Sequence, residues 1–235
     1  MSDTIITTGK LQVSGQPFDI RFLKVSDIPE ILDLQQLVDK KMEVPAFLQP
    51  LSEKEYQNIL SGNGFMIGVF VNEKMIAFRA MLIPEIDEDE HLGIDAGLSR
   101  NERGKMIYSE ISNVHPDFRG NRLQTYMGEL VMEHVDKERF HYAATTVAPL
   151  NIPSIKDKLV LGMEIIELKE KYNGKLRYIL FRDFTEDRKP PNVAEQQTIS
   201  MDNIEEQVKL LNQGYKGVAL QEKDGKWHVK YVGGA

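Results

Sequence analysis

Residues 109–130 have the sequence SEISNVHPDFRGNRLQTYMGEL, in which a strand, a short loop and a helix follow one another directly. Strand character extends to Val114, proline and glycine mark the loop, and the apolar residues from Leu123 onward recur at helical spacing. A helix that begins at the end of a loop presents unpaired backbone N–H groups and the positive end of its dipole. With Arg119 and Arg122, this segment predicts either a phosphate site or an ordinary strand-to-helix turn with two solvated arginines.

Periodic apolar residues predict further strands and helices on both sides of this segment. The predicted strands are 18–22, 65–71, 74–83, 106–114, 142–147, 164–172, 176–184, 215–220 and 226–232, and the predicted helices are 28–38, 122–138, 154–161 and 201–213, with a short one from Ser52. The charged stretch 84–104 predicts a surface loop, with or without a short helix. Asn173-Gly174 and Asp224-Gly225 are dipeptides typical of hairpin turns.

The 235 residues carry 29 Lys and Arg against 36 Asp and Glu, a formal net charge of -7, and no cysteine. This acidity argues against nucleic acid as the main partner, because phosphate backbones are bound by clustered Lys and Arg. The lack of cysteine excludes disulfides, thiolate metal sites and cysteine nucleophiles. The chain has no apolar run long enough for a membrane span, no secretory signal pattern, and no metal-ligand spacing among its histidines. We therefore expect a cytoplasmic globular protein without a membrane partner or a bound metal.

Two segments resemble the signatures of one enzyme superfamily. VHPDFRGNRL at 114–123 resembles the acyl-CoA-binding motif of the GNAT N-acetyltransferases, V-x-P-x-[YF]-R-G-x-G. VAPLNIPSIKDKLVLGM at 147–163 resembles their second pattern, V-x-P-x-N-x-x-[AS] followed by a helix and L-G-[FM]. The resemblance extends from Phe18 to Phe184 and implies an α/β fold, with a mixed, largely antiparallel sheet flanked by helices on both faces.

The resemblance implies transfer of an acetyl group from acetyl-CoA directly to a primary amine in a ternary complex, with a small molecule or a peptide as acceptor. It also implies which residues bind the co-substrate. Those on the strand that would offer backbone groups to the pantetheine arm are Ile111, Ser112, Asn113 and Val114. Those that would cradle the pyrophosphate are Arg119, Gly120, Asn121, Arg122, Leu123, Gln124 and Thr125. In the second signature, Asn151 would hold the co-substrate or shape the neighbouring loop, and Ser154 would bind the co-substrate.

Two positions depart from the family pattern. Arg122 stands where the family has a glycine, and a non-glycine residue costs roughly 1–2 kcal/mol if its φ must be positive. A charge-assisted contact to phosphate offsets a similar amount, so we expect binding to survive. Lys158 stands where the family often has a tyrosine that protonates the departing thiolate. A protonated lysine can donate that proton, and the alternative is a surface lysine beside the anionic co-substrate.

Glu110 is the candidate general base. An amine with a pKa of about 10.4 costs roughly 4.6 kcal/mol to deprotonate at neutral pH, so a carboxylate or an ordered water chain must help. Alternation with Tyr108 and Ser112 predicts that Glu110 shares one face of the strand with them, and the alternative is a solvated strand glutamate. The acidic segment 85–90 either attracts a cationic amine or only keeps its loop solvated.

The composition shifts after Phe184. We expect an acetyltransferase domain over 1–185, a linker with paired prolines over 186–200, and an αββ appendage over 201–235. A segment as short as the appendage buries little surface by itself. The appendage is therefore expected to dock on the main domain or on a partner, with Trp227 as a candidate anchor. Two other functions remain open, a catalytically inert acyl-CoA-binding sensor or scaffold and an interaction protein acting through the appendage. Homodimer formation is also left open.

Overall fold

The computed structural model describes residues 4–42, 49–186 and 195–233. The strands are β1 (Ile5–Lys10), β2 (Pro17–Phe22), β3 (Gly64–Val71), β4 (Lys74–Leu82), β5 (Met106–Val114), β6 (Tyr142–Val147), β7 (Glu164–Lys171), β8 (Lys175–Asp183), β9 (Gln196–Ser200), β10 (Lys216–Lys223) and β11 (Lys226–Val232). The helices are α1 (Ile28–Lys40), α2 (Glu53–Leu60), α3 (Leu92–Asp95), α4 (Arg100–Arg103), α5 (Leu123–His134), α6 (Ile152–Val160) and α7 (Ile204–Asn212). The predicted elements are found within a few residues of these bounds, and β1 and β9 are additional.

The chain forms two compact units, one made of Met1–Ile83 and Tyr108–Val135 and the other of Pro84–Ile107 and Asp136–Ala235. In the first unit the strands follow the order β1-β2-β3-β4-β5, and each neighbouring pair is antiparallel. On β4, the Phe78 ring lies 5.9 Å from that of Tyr56 in α2, and the next residue, Arg79, donates to the Gln124 carbonyl in α5. Because consecutive strand residues point to opposite faces, this unit has helices on both faces of its strands.

One apolar stripe of α1 faces the strands of the first unit. Its buried residues recur at helical spacing and are Ile28, Ile31, Leu34, Gln35 and Val38. Helix α2 begins with a capping box, in which the Ser52 N–H donates to Glu55 Oε2 at 2.7 Å. The two helices, together with residues of β3, β4 and β5, enclose a single apolar core.

Strand β5 contains a bulge at Glu110. Ile111 is paired with Ala80 and Ser109 with Met81, so Glu110 is the extra residue on its strand. A bulge of this kind interrupts the alternation of side chains along a strand. No glycine or proline stands at this point of the sequence to signal the bulge, and the pattern of apolar residues alone could not reveal it.

The bulge makes one prediction wrong, because Glu110 and Ser112 do not share a face with each other. Ser112 is paired with Arg79, whose side chain extends toward α5. Ser109 lies on the Arg79 face too, because the Arg79 guanidinium donates to its hydroxyl, so the neighbouring Glu110 points to the opposite face. Ile111 belongs to the core beneath α1 and α2 on that opposite face. The predicted alternation therefore does not hold through the bulge.

In the second unit the strands follow the order β6-β8-β7-β10-β11-β9, and each neighbouring pair is antiparallel. Two of its hairpins turn at the predicted dipeptides. The φ angles are 64° and 83° at Asn173-Gly174 and 52° and 73° at Asp224-Gly225. At Asp224-Gly225, left-handed conformation at both central residues is what a two-residue turn requires, and Lys223 pairs with Lys226. In the other hairpin Lys171 pairs with Lys175 and Tyr172 is left-handed as well, so the turn has three residues, 172–174. Both hairpins turn where the dipeptides predict them.

The C-terminal segment is βαββ rather than αββ, because β9 lies inside the predicted linker 186–200. Residues 187–194 of that linker lie outside the described residues. β9 pairs along β11, and its sequence QQTIS contains a single large apolar residue. Such a strand is stabilised by backbone hydrogen bonds and shows no alternating apolar pattern, which is why its sequence resembles a linker.

The C-terminal segment docks on its own chain through β7, β8 and α6. Gly217 of β10 is paired with Ile165 of β7, and a Cβ at position 217 would lie 2.9 Å from the Ile165 Cβ. The Lys156 ammonium of α6 lies 4.2 Å from the centre of the Trp227 ring. Trp227 thus contacts α6, which belongs to the predicted main domain. The main domain was one of the two anchoring sites expected for it.

The side chain of Gln207 in α7 is fully buried and joins three elements of the second unit. The hydroxyls of Tyr178 in β8 and Tyr231 in β11 donate to its Oε1 at 2.6 and 2.9 Å. Its Nε2 donates to the carbonyls of Ser200 and Met201. A buried polar network satisfied in this way rigidifies the elements that contribute to it.

The charged stretch between β4 and β5 is folded by its own ion pairs. Asp87 pairs with Arg100 near the start of α4, and the buried carboxylate of Asp95 pairs with Lys169 and Lys171 of β7. The predicted surface loop therefore contains two short helices, α3 and α4. Among the described residues, none of the helices has both the length and the apolarity to cross a bilayer.

Candidate functional site

The loop after β5 opens with a 3-10 turn over Pro116–Phe118. The His115 ring accepts the Asp117 N–H at 3.2 Å, and the Arg119 N–H donates to the Pro116 carbonyl at 3.2 Å. The amide of Arg119, one of the predicted phosphate-binding groups, is thus already used within the turn. Only the exposed side chain of Arg119 is available to a ligand.

Gly120 and Arg122 are both left-handed, with φ angles of 81° and 56°. The positive φ considered at position 122 from the sequence is therefore present, and it costs roughly 1–2 kcal/mol for a residue other than glycine. Strain of this kind persists where the surrounding structure holds it, and it concentrates at functional sites. A Cβ at position 120 would meet only a methyl group of Val13 at 3.9 Å, so conformation rather than space favours glycine there.

Helix α5 begins directly after these two residues and has no side-chain cap. Within 4–42, 49–186 and 195–233, the amides of residues 120–125 have no hydrogen-bond acceptor. Unpaired amides at a helix N-terminus, together with the positive end of the helix dipole, form an anion site. The exposed side chains of Arg119 and Arg122 add two positive charges to it.

The side chain of Asn121 points inward, between the two left-handed residues. It is 8% exposed, accepts the Val13 N–H at 2.8 Å and donates to the Phe118 carbonyl at 2.9 Å. Asn121 therefore contributes its side chain to the structure of the loop and leaves only its backbone amide for a ligand.

Arg79 is a residue of this site that the sequence reasoning missed. It is fully buried in β4, and its guanidinium donates to the Gln124 carbonyl and the Ser109 hydroxyl, each at 3.0 Å. These contacts tie the first turn of α5 to β4 and β5. An arginine inside the apolar run MIAFRAML was the signal in the sequence that could have identified it.

Strand β5 carries two buried polar atoms without a hydrogen-bond partner among the described residues, Ser112 Oγ and Asn113 Nδ2. Asn113 is 1% exposed. Buried polar groups in folded proteins are nearly always paired, so two consecutive exceptions require an explanation. Because consecutive residues point to opposite faces, a polar ligand beside β5 would satisfy one of them.

Glu110 is half-buried at the bulge, on the side of α1 and α2. Burial, together with the negative charges of Glu55 and Glu110, raises the pKa of Tyr56. The Tyr56 hydroxyl donates to Gln35 Oε1 at 2.5 Å, so this phenol stays neutral beside the carboxylate. The Tyr56 hydroxyl thus belongs to a buried polar network beside the apolar core, and Glu110 adds a negative charge that acts on it.

The second signature surrounds the start of α6 in the second unit. Asn151 is the N-cap, and its Oδ1 accepts the Ser154 N–H at 3.4 Å. Leu150, just before it, is 51% exposed and left-handed, with φ of 66°. The Asn151 side chain therefore caps α6 just after the turn at Leu150, whereas co-substrate binding by Asn151 and Ser154 stays a prediction.

Lys158 is buried near the C-terminal end of α6. Its Nζ donates to Asp157 Oδ2 at 2.9 Å, and the two side chains are 6% and 2% exposed. The expected alternative of a surface lysine is therefore wrong. The apolar residues around Lys158 along α6 gave no sign of the pair, because burial of the charge depends on its neighbour Asp157 and on the packing of α6.

The predicted pyrophosphate residues 119–125 form one continuous loop and helix start in the first unit, and Glu110 lies on the α2 side of the same unit. Asn151, Ser154 and Lys158 lie together on α6 of the second unit. The described residues contain no group of three or more His, Asp or Glu side chains that could hold a metal ion.

No protein-family model matches the sequence, and no curated protein is similar to it in sequence. Solved structures do match its fold. The ribosomal-protein-S18-alanine N-acetyltransferase from Escherichia coli matches with a TM-score of 0.54 at 16% identity, over 73% of this chain and 97% of that chain. NAA60 from Arabidopsis thaliana in complex with acetyl-CoA matches with a TM-score of 0.56 at 14% identity, over 72% and 99%. PaiA N-acetyltransferase from Thermoplasma acidophilum in complex with coenzyme A matches with 0.52 at 10% identity, over 71% and 99%.

Further matches include an acetyltransferase of the GNAT family from Streptococcus pneumoniae and a GNAT domain from S. lividans. At these low identities the similarity concerns the fold. The antiparallel strand pairs, the helices on both faces of the strands in the first unit, and the strand, loop and helix from β5 to α5 agree with the fold that the sequence patterns imply. The chain therefore has the fold of the GNAT N-acetyltransferases.

Proposed function

We propose that this protein is an acetyl-CoA-dependent N-acetyltransferase. The observation that carries the proposal is the loop of residues 119–122, where left-handed Gly120 and Arg122 lead into the uncapped start of α5. Its unpaired amides and two arginines suit a pyrophosphate. Proteins that share the fold, NAA60 and PaiA, form complexes with acetyl-CoA and coenzyme A.

The residues present fit acetyl-CoA at two points. Amides 120–125 and the Arg119 and Arg122 side chains would hold the diphosphate. Residues 111–114 of β5 would hold the pantetheine arm, and the unpartnered Ser112 Oγ or Asn113 Nδ2 offers an additional polar contact there. When bound, acetyl-CoA supplies an acetyl thioester, whose C–S bond is exchanged for a C–N bond to the acceptor amine.

The acceptor amine must lose a proton before or during transfer. Glu110 is proposed as the base, because a bulge sets it apart from the regular ladder and bulges often re-aim a side chain at an active site. Deprotonating an amine with a pKa of about 10.4 costs about 4.6 kcal/mol at neutral pH, and a carboxylate within hydrogen-bond reach would accept that proton as the C–N bond forms.

The thiol leaving group must gain a proton. Lys158 Nζ is proposed as its source, with Asp157 holding the ammonium in place through the 2.9 Å contact. The family's usual tyrosine is replaced here by this ion pair, which is also what motivates the alternative of an inert acyl-CoA-binding sensor or scaffold.

We propose a primary amine of a small molecule or a peptide as the acceptor. The Escherichia coli protein with this fold is named for alanine acetylation on a ribosomal protein, which supports a peptide amine. The acidic segment 85–90 favours a cationic acceptor, although its Asp87 is already paired with Arg100. A cytoplasmic location and homodimer formation stay predictions from the sequence.

A titration with acetyl-CoA followed by thermal unfolding tests the proposal. At 100 times its dissociation constant, the co-substrate should stabilise the protein by about 2.7 kcal/mol. Release of free thiol across a panel of amines then tests transfer. The absence of a thermal shift at millimolar acetyl-CoA would refute the co-substrate, whereas a shift without thiol release for any amine would support the inert sensor or scaffold.

A further inference from the structure

The N-terminal hairpin of β1 and β2 extends beyond the region that resembles the acetyltransferases, which begins at Phe18. Its turn is closed by two backbone hydrogen bonds of 2.8 Å, from the Leu11 N–H to the Gln16 carbonyl and from the Gly15 N–H to the Leu11 carbonyl. Leu11 is 2% exposed, whereas Val13 at the tip is 75% exposed. The turn is thus a defined structure with a buried base and a projecting tip.

The tip of this hairpin contacts the phosphate loop. The Val13 N–H donates to Asn121 Oδ1 at 2.8 Å, across 108 residues of sequence. Below the tip, the Phe18 ring packs edge-on against Tyr126 of α5, with ring centres 6.1 Å apart. The hairpin is therefore joined both to the loop and to the helix that follows it.

Asn121 stands between the two left-handed residues, Gly120 and Arg122. Its side-chain amide is the group through which the loop is held from both sides, since Nδ2 donates to the Phe118 carbonyl while Oδ1 accepts from Val13. A left-handed arginine costs roughly 1–2 kcal/mol, and two hydrogen bonds of this kind, each part-buried, are of the size needed to maintain it.

We propose that the N-terminal hairpin positions the phosphate-binding loop, and that Asn121 is the positioning residue through which it does so. This inference rests on the proposed function and deepens it. In the absence of the Asn121 side chain, the loop amides lose their fixed direction toward the diphosphate, while groups of β5 that would contact the pantetheine arm are unaffected.

Calorimetric titration of wild-type protein and Asn121→Ala with two donors tests this. Acetyl-CoA carries the diphosphate, and S-acetylpantetheine lacks it. Asn121→Ala is expected to weaken acetyl-CoA binding about tenfold, the equivalent of one hydrogen bond, and to leave S-acetylpantetheine binding unchanged. Asn203→Ala is the matched control, because Asn203 also accepts a backbone N–H, that of Glu206, at the start of α7.

The outcomes separate the inference from the function on which it rests. Equal weakening of both donors, or no weakening of acetyl-CoA, would overturn the positioning role. Wild-type protein that bound no acetyl-CoA would overturn the proposed function and the inference with it.

A measurement on the wild-type protein covers the case in which Asn121→Ala does not fold. Coupling between two sites is reciprocal, so coenzyme A binding at the loop must in turn stabilise the hairpin contact. We expect coenzyme A to slow hydrogen exchange of the Val13 amide together with that of the first turn of α5. Protection of α5 without any change at Val13 would contradict the inference.

Discussion

Arg122 combines a backbone conformation that favours glycine with a positive charge at the start of α5. The two effects oppose each other in energy, since the conformation costs roughly 1–2 kcal/mol and a charged hydrogen bond to phosphate contributes a similar amount. An arginine in place of the family's glycine is therefore expected to lower the stability of the free protein and to strengthen phosphate binding by a similar amount. Substitutions at residue 122 can measure the two effects separately.

Arg122→Gly is expected to stabilise the free protein by about 1 kcal/mol, which raises Tm by about 2–4 °C, and to weaken acetyl-CoA binding about tenfold. Arg122→Lys is the control, because it keeps both the charge and the unfavourable φ. Thermal unfolding and calorimetric titration measure the two effects. A glycine variant with unchanged Tm and unchanged affinity would show that residue 122 contributes neither strain nor binding.

Glu110→Gln is expected to lower the rate of acetyl transfer about 100-fold at neutral pH. The difference from wild type should shrink as pH rises toward about 10, because the free amine then needs no base. Initial rates between pH 6 and pH 10 measure this, and Glu129→Gln on the exposed face of α5 serves as the control. A ratio of variant to wild-type rate that stays constant with pH would exclude Glu110 as the base.

For the strands and helices, local sequence signals predicted most boundaries. They did not predict the features that depend on a neighbouring strand. The Ser52 capping box and the Asn173-Gly174 turn were predictable, because each is a rule about adjacent residues. The bulge in β5 is a matter of register against β4, and the strand character of β9 depends on β11. Neither partner can be read from the element's own residues.

Helix α6 contains a buried Asp157–Lys158 pair, and this predicts how the helix responds to substitution. Lys158→Met removes the cation that pairs with a nearly buried carboxylate, so it should destabilise the protein by about 3–5 kcal/mol. The double variant Asp157→Asn/Lys158→Met should recover most of this loss. Denaturant unfolding measures both, and equal instability of the single and double variants would mean that packing rather than charge dominates at Lys158.

At the scale of the whole molecule, the two compact units do not follow the predicted domain boundary at residue 185. Residues of the predicted appendage belong to the same unit as β6, β7 and β8. The tie is physical, because β10 pairs with β7 and the Tyr178 hydroxyl is bonded to buried Gln207. We therefore regard the last forty residues as part of the second unit.

Truncation after Phe184 tests this. It removes β10, one of the two strands paired with β7, and the acceptor of the Tyr178 hydroxyl, so the shortened chain should be insoluble or have a strongly lowered Tm. Gln207→Leu in the full chain should produce a smaller loss of about 1–3 kcal/mol for each hydroxyl left unpaired. Gln213→Leu, at an exposed position after the same helix, is the control. A stable truncated chain with wild-type acetyl-CoA affinity would restore the boundary at 185.

Local sequence patterns were enough to predict the succession of strands and helices and the loop between β5 and α5. These follow from the spacing of apolar residues and from the φ restrictions of single residues, which are local properties. Three features could be learned only from the folded chain: Glu110 lies in a bulge, Lys158 is buried with Asp157, and the Val13 N–H donates to the Asn121 side chain. Each of these depends on register, packing or a contact between distant parts of the chain, and such interactions arise when the elements come together.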